Sequence, residues 1–181
     1  MKLFVLMLVV LNPFSQVVYL FDLMKKLTPR EFASVHAKAT LLSFGVYGLF
    51  VLFGDVILTN LFQVRLASLQ IFGGLIMIII AYRYVTIGAG SNLLFRGDVT
   101  TFAANISIPY MVGAGTVWLS ILAGRDHGPL GGLAIAGSVL AVNMAFVITV
   151  SLLVERLSNH KDTLLGKYFM ILTRTSALFI G

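Results

Sequence analysis

Residues 11–18 read LNPFSQVV and residues 106–116 read ISIPYMVGAGT. Each stretch puts helix breakers and neutral polar residues at the middle of a long apolar run: Asn12 and Pro13 in the first, Pro109, Gly113 and Gly115 in the second. A proline inside a helix removes one amide donor and frees the carbonyl four residues earlier, here on Val9 and Asn105. Freed backbone groups cannot face hydrocarbon; neighbouring helices must satisfy them, or they line a watery cavity.

The runs around these breaks set the fold class. About 20 apolar residues are needed to cross about 30 Å of hydrocarbon. Runs of that kind occur at Leu3 to Leu23, Ala39 to Leu58, Leu66 to Val85, Phe102 to Ala123 and Leu130 to Val154. A sixth begins at Tyr168 and stops at Gly181, about 21 Å of helix at about 1.5 Å per residue, and reads as an incomplete sixth helix or as a short tilted or interfacial segment. The runs are continuously apolar rather than alternating with period two, which excludes a barrel. Residues 3–11 imitate a signal peptide, but no small-x-small cleavage pattern follows, so the first run reads as a span. The expected architecture is all-α: one transmembrane domain over residues 1–181, a polytopic bundle of six spans.

Composition agrees. Of 181 residues, 59% are hydrophobic and 11% charged, with mean hydropathy +0.98, where a soluble domain carries about 25% charged residues. A chain this short has too small an interior to hide that much apolar surface from water. The absence of cysteine excludes disulfides, thiolate catalysis and Cys-ligated metal.

Net charge is +6, yet the basic residues lie between apolar runs and not on one wetted face, so they do not read as a nucleic-acid footprint. With Met1 outside, Lys25, Lys26, Arg30, Lys38, Arg83, Arg96, Arg156, Lys161 and Lys167 fall inside, against Lys2, Arg65 and Arg125 outside. Nine against three places both termini on the outer side of an inner membrane.

Three spans per half put residues 3–85 and 102–181 in opposite orientations, joined by the polar, Gly-containing segment 86–101. Paired Gly/Pro interruptions in the first helix of each half point to a transporter site built from a 3+3 inverted repeat. Polar side chains gather at both breaks: Asn12, Ser15 and Gln16 in the first span, Asn105, Ser107 and Thr116 in the fourth. Half-helix N-termini offer amides to a carboxylate, and freed carbonyls suit an ammonium or a metal cation, so a zwitterion suits both. Back-bonding within the helix or helix–helix contact would explain Ser107 and Thr116 equally well.

These residues resemble the MarC-related membrane proteins, six-span neutral amino acid transporters, over the whole chain. Asn12 and Pro13 match the family's early NPxGN-like motif, with Ser15 and Gln16 at its Gly and Asn positions. Phe53, Gly54 and Asp55 resemble its FGE-like ending of the second helix. LQIFGG supplies Gly73 and Gly74, with Gln70 at the Arg position of FRIAGG. Ile108 to Val117 resembles IPLLAGPGAI, keeping Pro109, Gly113 and Gly115 and carrying Ala114 in place of the second Pro. Leu164 to Ala177 keeps Gly166, Thr173 and Arg174, which puts Gln70 and Arg174 at corresponding places in the two halves. The resemblance implies a transporter or exporter of small neutral amino acids of the glycine and alanine class. It implies a substrate site drawn from Asn12, Pro13, Ser15, Gln16, Gln70, Pro109, Gly113, Gly115, Thr116 and Arg174.

The remaining polar residues add little chemistry. Asp22, Asp55 and Arg83 sit near span ends, where interfacial anchoring explains them. Arg174 stands seven residues into the last run and would pair with a substrate carboxylate or with Asp55. Asn143, midway along the fifth run, reads as a site residue or as interhelical glue. His36, His127 and His160 read as solvated or headgroup-facing residues of connecting segments, without metal-ligand spacing. No nucleophile, base and metal constellation marks an enzyme, and no cofactor is implied. The expected partners are a small neutral amino acid and lipid, not nucleic acid, with a coupling proton or Na⁺ and oligomerisation both left open. An integral membrane scaffold or regulatory subunit, and a passive channel for small solutes, are the competing readings.

Overall fold

The computed structural model of the chain describes residues 1–56, 71, 75, 78, 79, 82, 103, 104 and 106–158. Every regular element among them is helical: α1 (Lys2–Leu11), α2 (Pro13–Lys26), α3 (Pro29–Val56), a π-helical turn (Ser107–Met111) and α4 (Ala114–Ser158). Most of the third run, the segment 86–101, the short last run, Gln70 and Arg174 lie outside the described residues.

α3 starts at Pro29, well before the hydropathy run that opens at Ala39. Its start is a capping box. The Glu31 carboxylate accepts from the Thr28 amide at 2.9 Å and from the Thr28 hydroxyl at 2.8 Å, while the Glu31 amide donates to Thr28 Oγ1 at 3.4 Å. With proline at the first helical position, Thr-Pro-Arg-Glu is a strong local start signal that hydropathy alone passes over. The earlier start corrects the reading of His36 as a loop residue. It lies on the inward stripe of α3 with Phe32, Val35 and Ala39, is wholly buried, and stacks on Phe32 at 5.8 Å. His127 is exposed, as expected.

α4 is two helical stretches that break at Gly128, whose φ of 71° and ψ of 172° are non-helical, with Pro129 following. Only glycine adopts such a conformation readily. A Cβ at Gly132 would lie 2.8 Å from the Gly124 amide nitrogen, whereas eight residues of straight helix span about 12 Å. The chain therefore doubles back into two arms, 114–127 and 129–158. Contacts with α3 give the directions: Ser43 meets Ser107, Tyr47 meets Met111 and Gly54 meets Ile121, so the first arm and its π turn run parallel to α3. Phe44 meets Gly137 and Gly48 meets Leu133, so the second arm is antiparallel.

Close approach in this trio depends on glycine. A Cβ on Gly124 would run into the Val51 carbonyl, and one on Gly54 into the Ile121 side chain. A single core joins all five elements, from Met7 and Leu20 through Phe32 and Tyr47 to Ile106, Leu140 and Val147.

The exterior is apolar. Phe14 is 70% exposed and Leu41 71%, while Gln16, Ser43, Ser107, Thr116, Ser120 and Asn143 are buried. Water would select the opposite arrangement; lipid allows this one, because polar groups there must find partners inside the bundle. Pro29–Gly54 is long and apolar enough to cross a membrane, Ala114–Glu155 has the length and composition for it but is divided between the two arms at Gly128, and Lys2–Val17 with Tyr19–Lys26, bent by 43°, qualify as one broken span.

Candidate functional site

The first break is made by two residues with separate tasks. Asn12 adopts the left-handed conformation (φ 47°, ψ 72°), which asparagine tolerates better than most side chains. Its amide closes α1 on the Leu8 carbonyl at 3.1 Å, and its Oδ1 accepts from the Ser15 amide at 3.2 Å to open α2. Pro13 takes the first position of α2, where its missing amide costs nothing. The expected mid-helix proline kink is thus a helix end and a new helix start, one residue apart.

The second break is wider. The Val112 amide reaches back five residues to the Ser107 carbonyl at 2.8 Å, closing the π turn that contains Pro109. α4 then begins from Gly113, whose amide donates to Thr116 Oγ1 at 3.0 Å. The Thr116 hydroxyl in turn lies 3.0 Å from both the Met111 and the Gly113 carbonyls. This is half of a capping box, with Thr116 at the third helical position tying the helix start to the π turn.

The two breaks meet. Gln16, 1% exposed, donates from Nε2 to the Leu11 carbonyl at 3.0 Å and to the Tyr110 carbonyl at 3.4 Å, so one side-chain amide spans both interruptions. Tyr19 stacks on Tyr110 with centroids 5.2 Å apart. A Cβ on Gly115 would lie 2.8 Å from Val10 Cγ1, which makes glycine the residue that lets α1 approach α4. At Gly113 no described residue stands within 4 Å of a Cβ, so among the described residues the second break keeps open space beside it.

Three further residues join the junction. Asn143, from the second arm of α4, donates from Nδ2 to Gln16 Oε1 at 3.0 Å. Tyr47 of α3 donates its hydroxyl to the Met111 carbonyl at 2.6 Å. Ser43 Oγ stands 2.7 Å from Ser107 Oγ, 2.9 Å from the Ala39 carbonyl and 3.2 Å from Met111 Sδ. It has one proton; given to the Ala39 carbonyl, it leaves Ser107 as the donor in the serine pair.

Of the expected site residues, Asn12, Pro13, Ser15 and Gln16 form the first break, while Gly113, Gly115 and Thr116 form the second, with Pro109 in its π turn. Gln70 and Arg174 lie outside the described residues. Ser43 and Tyr47 were not anticipated; the signal for them was their spacing of four on α3, in register with the inward Ala39. Asn143 takes a definite place, on Gln16.

The hydrogen-bonding side chains Asn12, Gln16, Ser43, Tyr47, Ser107, Thr116 and Asn143 are all neutral and can both donate and accept. Gln16 and Asn143 are pinned in orientation, because the two carbonyls demand the Gln16 NH₂ and leave its oxygen for Asn143 Nδ2. That leaves Asn143 Oδ1 buried with no donor among the described residues, a loss of about 1–3 kcal/mol. Among the described residues no group of three or more His, Asp or Glu comes together to hold a metal ion.

A family model, MarC family integral membrane protein, matches residues 1–180. The chain is 25% identical over 187 residues to the UPF0056 membrane protein YvbG of Bacillus subtilis (strain 168), covering 98% of this chain and 86% of that one. No solved structure matches.

Proposed function

The chain belongs to the MarC family of integral membrane proteins, and from that premise we propose that it is a secondary transporter or exporter of small neutral amino acids, glycine and alanine among them. The observation that carries this reading is the single amide of Gln16 bridging the Leu11 and Tyr110 carbonyls, one at each helix break. A zwitterion needs acceptors for its ammonium and donors for its carboxylate. The ends of α1 and of the π turn present carbonyls; the start of α4 presents the amides of its first turn, where the partial positive charge of a helix N-terminus favours an anion. Open space beside Gly113 suits a ligand of few atoms.

Transport follows from exposing this junction to each side in turn. In the proposed 3+3 inverted repeat, residues 3–85 rock against residues 102–181 about the fixed site. The membrane is the cell's inner membrane with both termini outside, which puts the exposed Lys25, Lys26, Arg30 and Lys38 on the cytoplasmic side. No enzymatic step and no cofactor enters the account. Lipid surrounds the bundle, and a coupling ion would act at the same junction.

Reconstituted protein tests the reading. Labelled alanine and glycine should enter or leave proteoliposomes saturably, with trans-stimulation that a channel lacks. Absence of flux for every small amino acid, with the protein folded and inserted, removes the substrate class.

A further inference from the structure

We infer that Gln16 and Asn143 form a two-position amide switch whose second position opens a site for a small monovalent cation, either Na⁺ or a substrate ammonium group, at the junction of the two breaks. This rests on the transport reading for the ammonium source alone; the Na⁺ source stands without it.

Gln16 Nε2 occupies the place such a cation would take. It lies 3.0 Å from the Leu11 carbonyl and 3.4 Å from the Tyr110 carbonyl, one oxygen beside each break. Both bonds are made by one neutral amide, and its other end is held by Asn143 Nδ2 at 3.0 Å. Both amide side chains are deep in the bundle, Gln16 at 1% and Asn143 at 0% exposure.

The same frame works in reverse. If both amides turn over, Gln16 Oε1 joins the Leu11 and Tyr110 carbonyls, and three oxygens face one point. Gln16 Nε2 then donates to Asn143 Oδ1, the buried acceptor that has no donor among the described residues in the present position. The turned state supplies that acceptor with a proton but puts Asn143 Nδ2 in the place without a described partner, and it replaces a donor at the carbonyl pair by an acceptor, so only a bound cation makes it favourable. Hard cations prefer such oxygen sets, and carbonyls freed at broken transmembrane helices suit Na⁺ or H⁺. No carboxylate is needed, because low local dielectric strengthens each ion–dipole contact.

Titration of purified full-length protein, read by the fluorescence of its single tryptophan, tests this. Trp118 packs against the core two positions beyond Thr116. The probes are NaCl and KCl against choline chloride, then alanine against propionate, which lacks the ammonium, in choline buffer. A saturable response to Na⁺ but not K⁺ identifies Na⁺. A response to alanine but not propionate, with Na⁺ inert, identifies the ammonium. Either supports the site. Asn143→Asp is acceptor-only when ionised, so it holds Gln16 in the turned position and should tighten the responding cation by about tenfold or more; Asn143→Leu should weaken it by at least about tenfold. Should Asn143→Leu fail to fold, Asn143→Asp decides. The site is overturned if neither Na⁺ nor alanine produces a response, if alanine and propionate respond alike with Na⁺ inert, or if Asn143→Asp leaves the affinity unchanged. A Na⁺ response without flux of any amino acid removes the transport reading and keeps the site, whereas equal transport of alanine and propionate without a Na⁺ response does the reverse.

Discussion

Asn143 donates to Gln16 across 3.0 Å, joining residues 127 positions apart in the chain. Through Gln16 the second arm of α4 holds the closure between the end of α1 and the π turn, so three separate segments share one polar contact inside an apolar bundle. Removing it has a calculable consequence. Gln16→Leu keeps the volume but strands the Leu11 and Tyr110 carbonyls and the Asn143 amide. Unsatisfied buried groups cost about 1–3 kcal/mol each, so denaturant unfolding in detergent should show a loss of at least about 2 kcal/mol, together with lost flux in whatever protein remains folded. Unchanged stability would mean that the junction is wet or not formed.

Tyr47→Phe is the milder test of the second break. The ring stays, and the Met111 carbonyl retains the Thr116 hydroxyl at 3.0 Å. The expected loss is one hydrogen bond, about 0.5–1.5 kcal/mol by unfolding. If Tyr47 only stabilises, transport keeps its half-saturation; if it closes the break over a solute, half-saturation shifts with little change in stability.

Two glycines of the packed trio should answer alanine with opposite signs. Gly124→Ala drives a methyl into the Val51 carbonyl, an overpacking that typically costs about 1–3 kcal/mol. Gly45, in the middle of α3, has no described residue within 4 Å of a Cβ. Gly45→Ala should stabilise by about 0.5–1 kcal/mol through lost backbone freedom in the unfolded chain. Thermal unfolding of the two variants beside the parent checks both signs at once.

Sidedness is open to chemistry because the chain has no cysteine of its own. Lys38 and Asp126 are both exposed. In cells or right-side-out vesicles, an impermeant maleimide should label Asp126→Cys and spare Lys38→Cys until the membrane is permeabilised. The reverse pattern would invert the proposed orientation.

How much of this was legible from residues alone follows the range of the interactions. Asn12 and Pro13 announced the first break because their effect is local: one tolerates the left-handed conformation and the other lacks a donor. Gly128 and Pro129 likewise fell where the fourth and fifth apolar runs part. The start of α3 was misplaced because Lys38 and His36 lower the hydropathy there, although Thr28, Pro29 and Glu31 carry the local start signal. Ser43 and Tyr47 carry only the faint signal of their spacing in register with Ala39, which names no partner. Their partners lie 64 positions away, and a lone hydroxyl in an apolar run looks the same whether it back-bonds in its own helix or meets another segment. The Asn143 and Gln16 amides were each recognised as notable, but their pairing is a tertiary fact.

The central claim is that the two breaks together hold the transported solute, and protection of a single reactive group at Gly113 tests it most directly. The space beside Gly113 admits a side chain, so Gly113→Cys should fold and react with a small alkylating reagent. The account predicts that alanine slows this reaction, with half-protection at the concentration that half-saturates transport. A labelling rate indifferent to alanine, in protein that still carries alanine saturably, would contradict it.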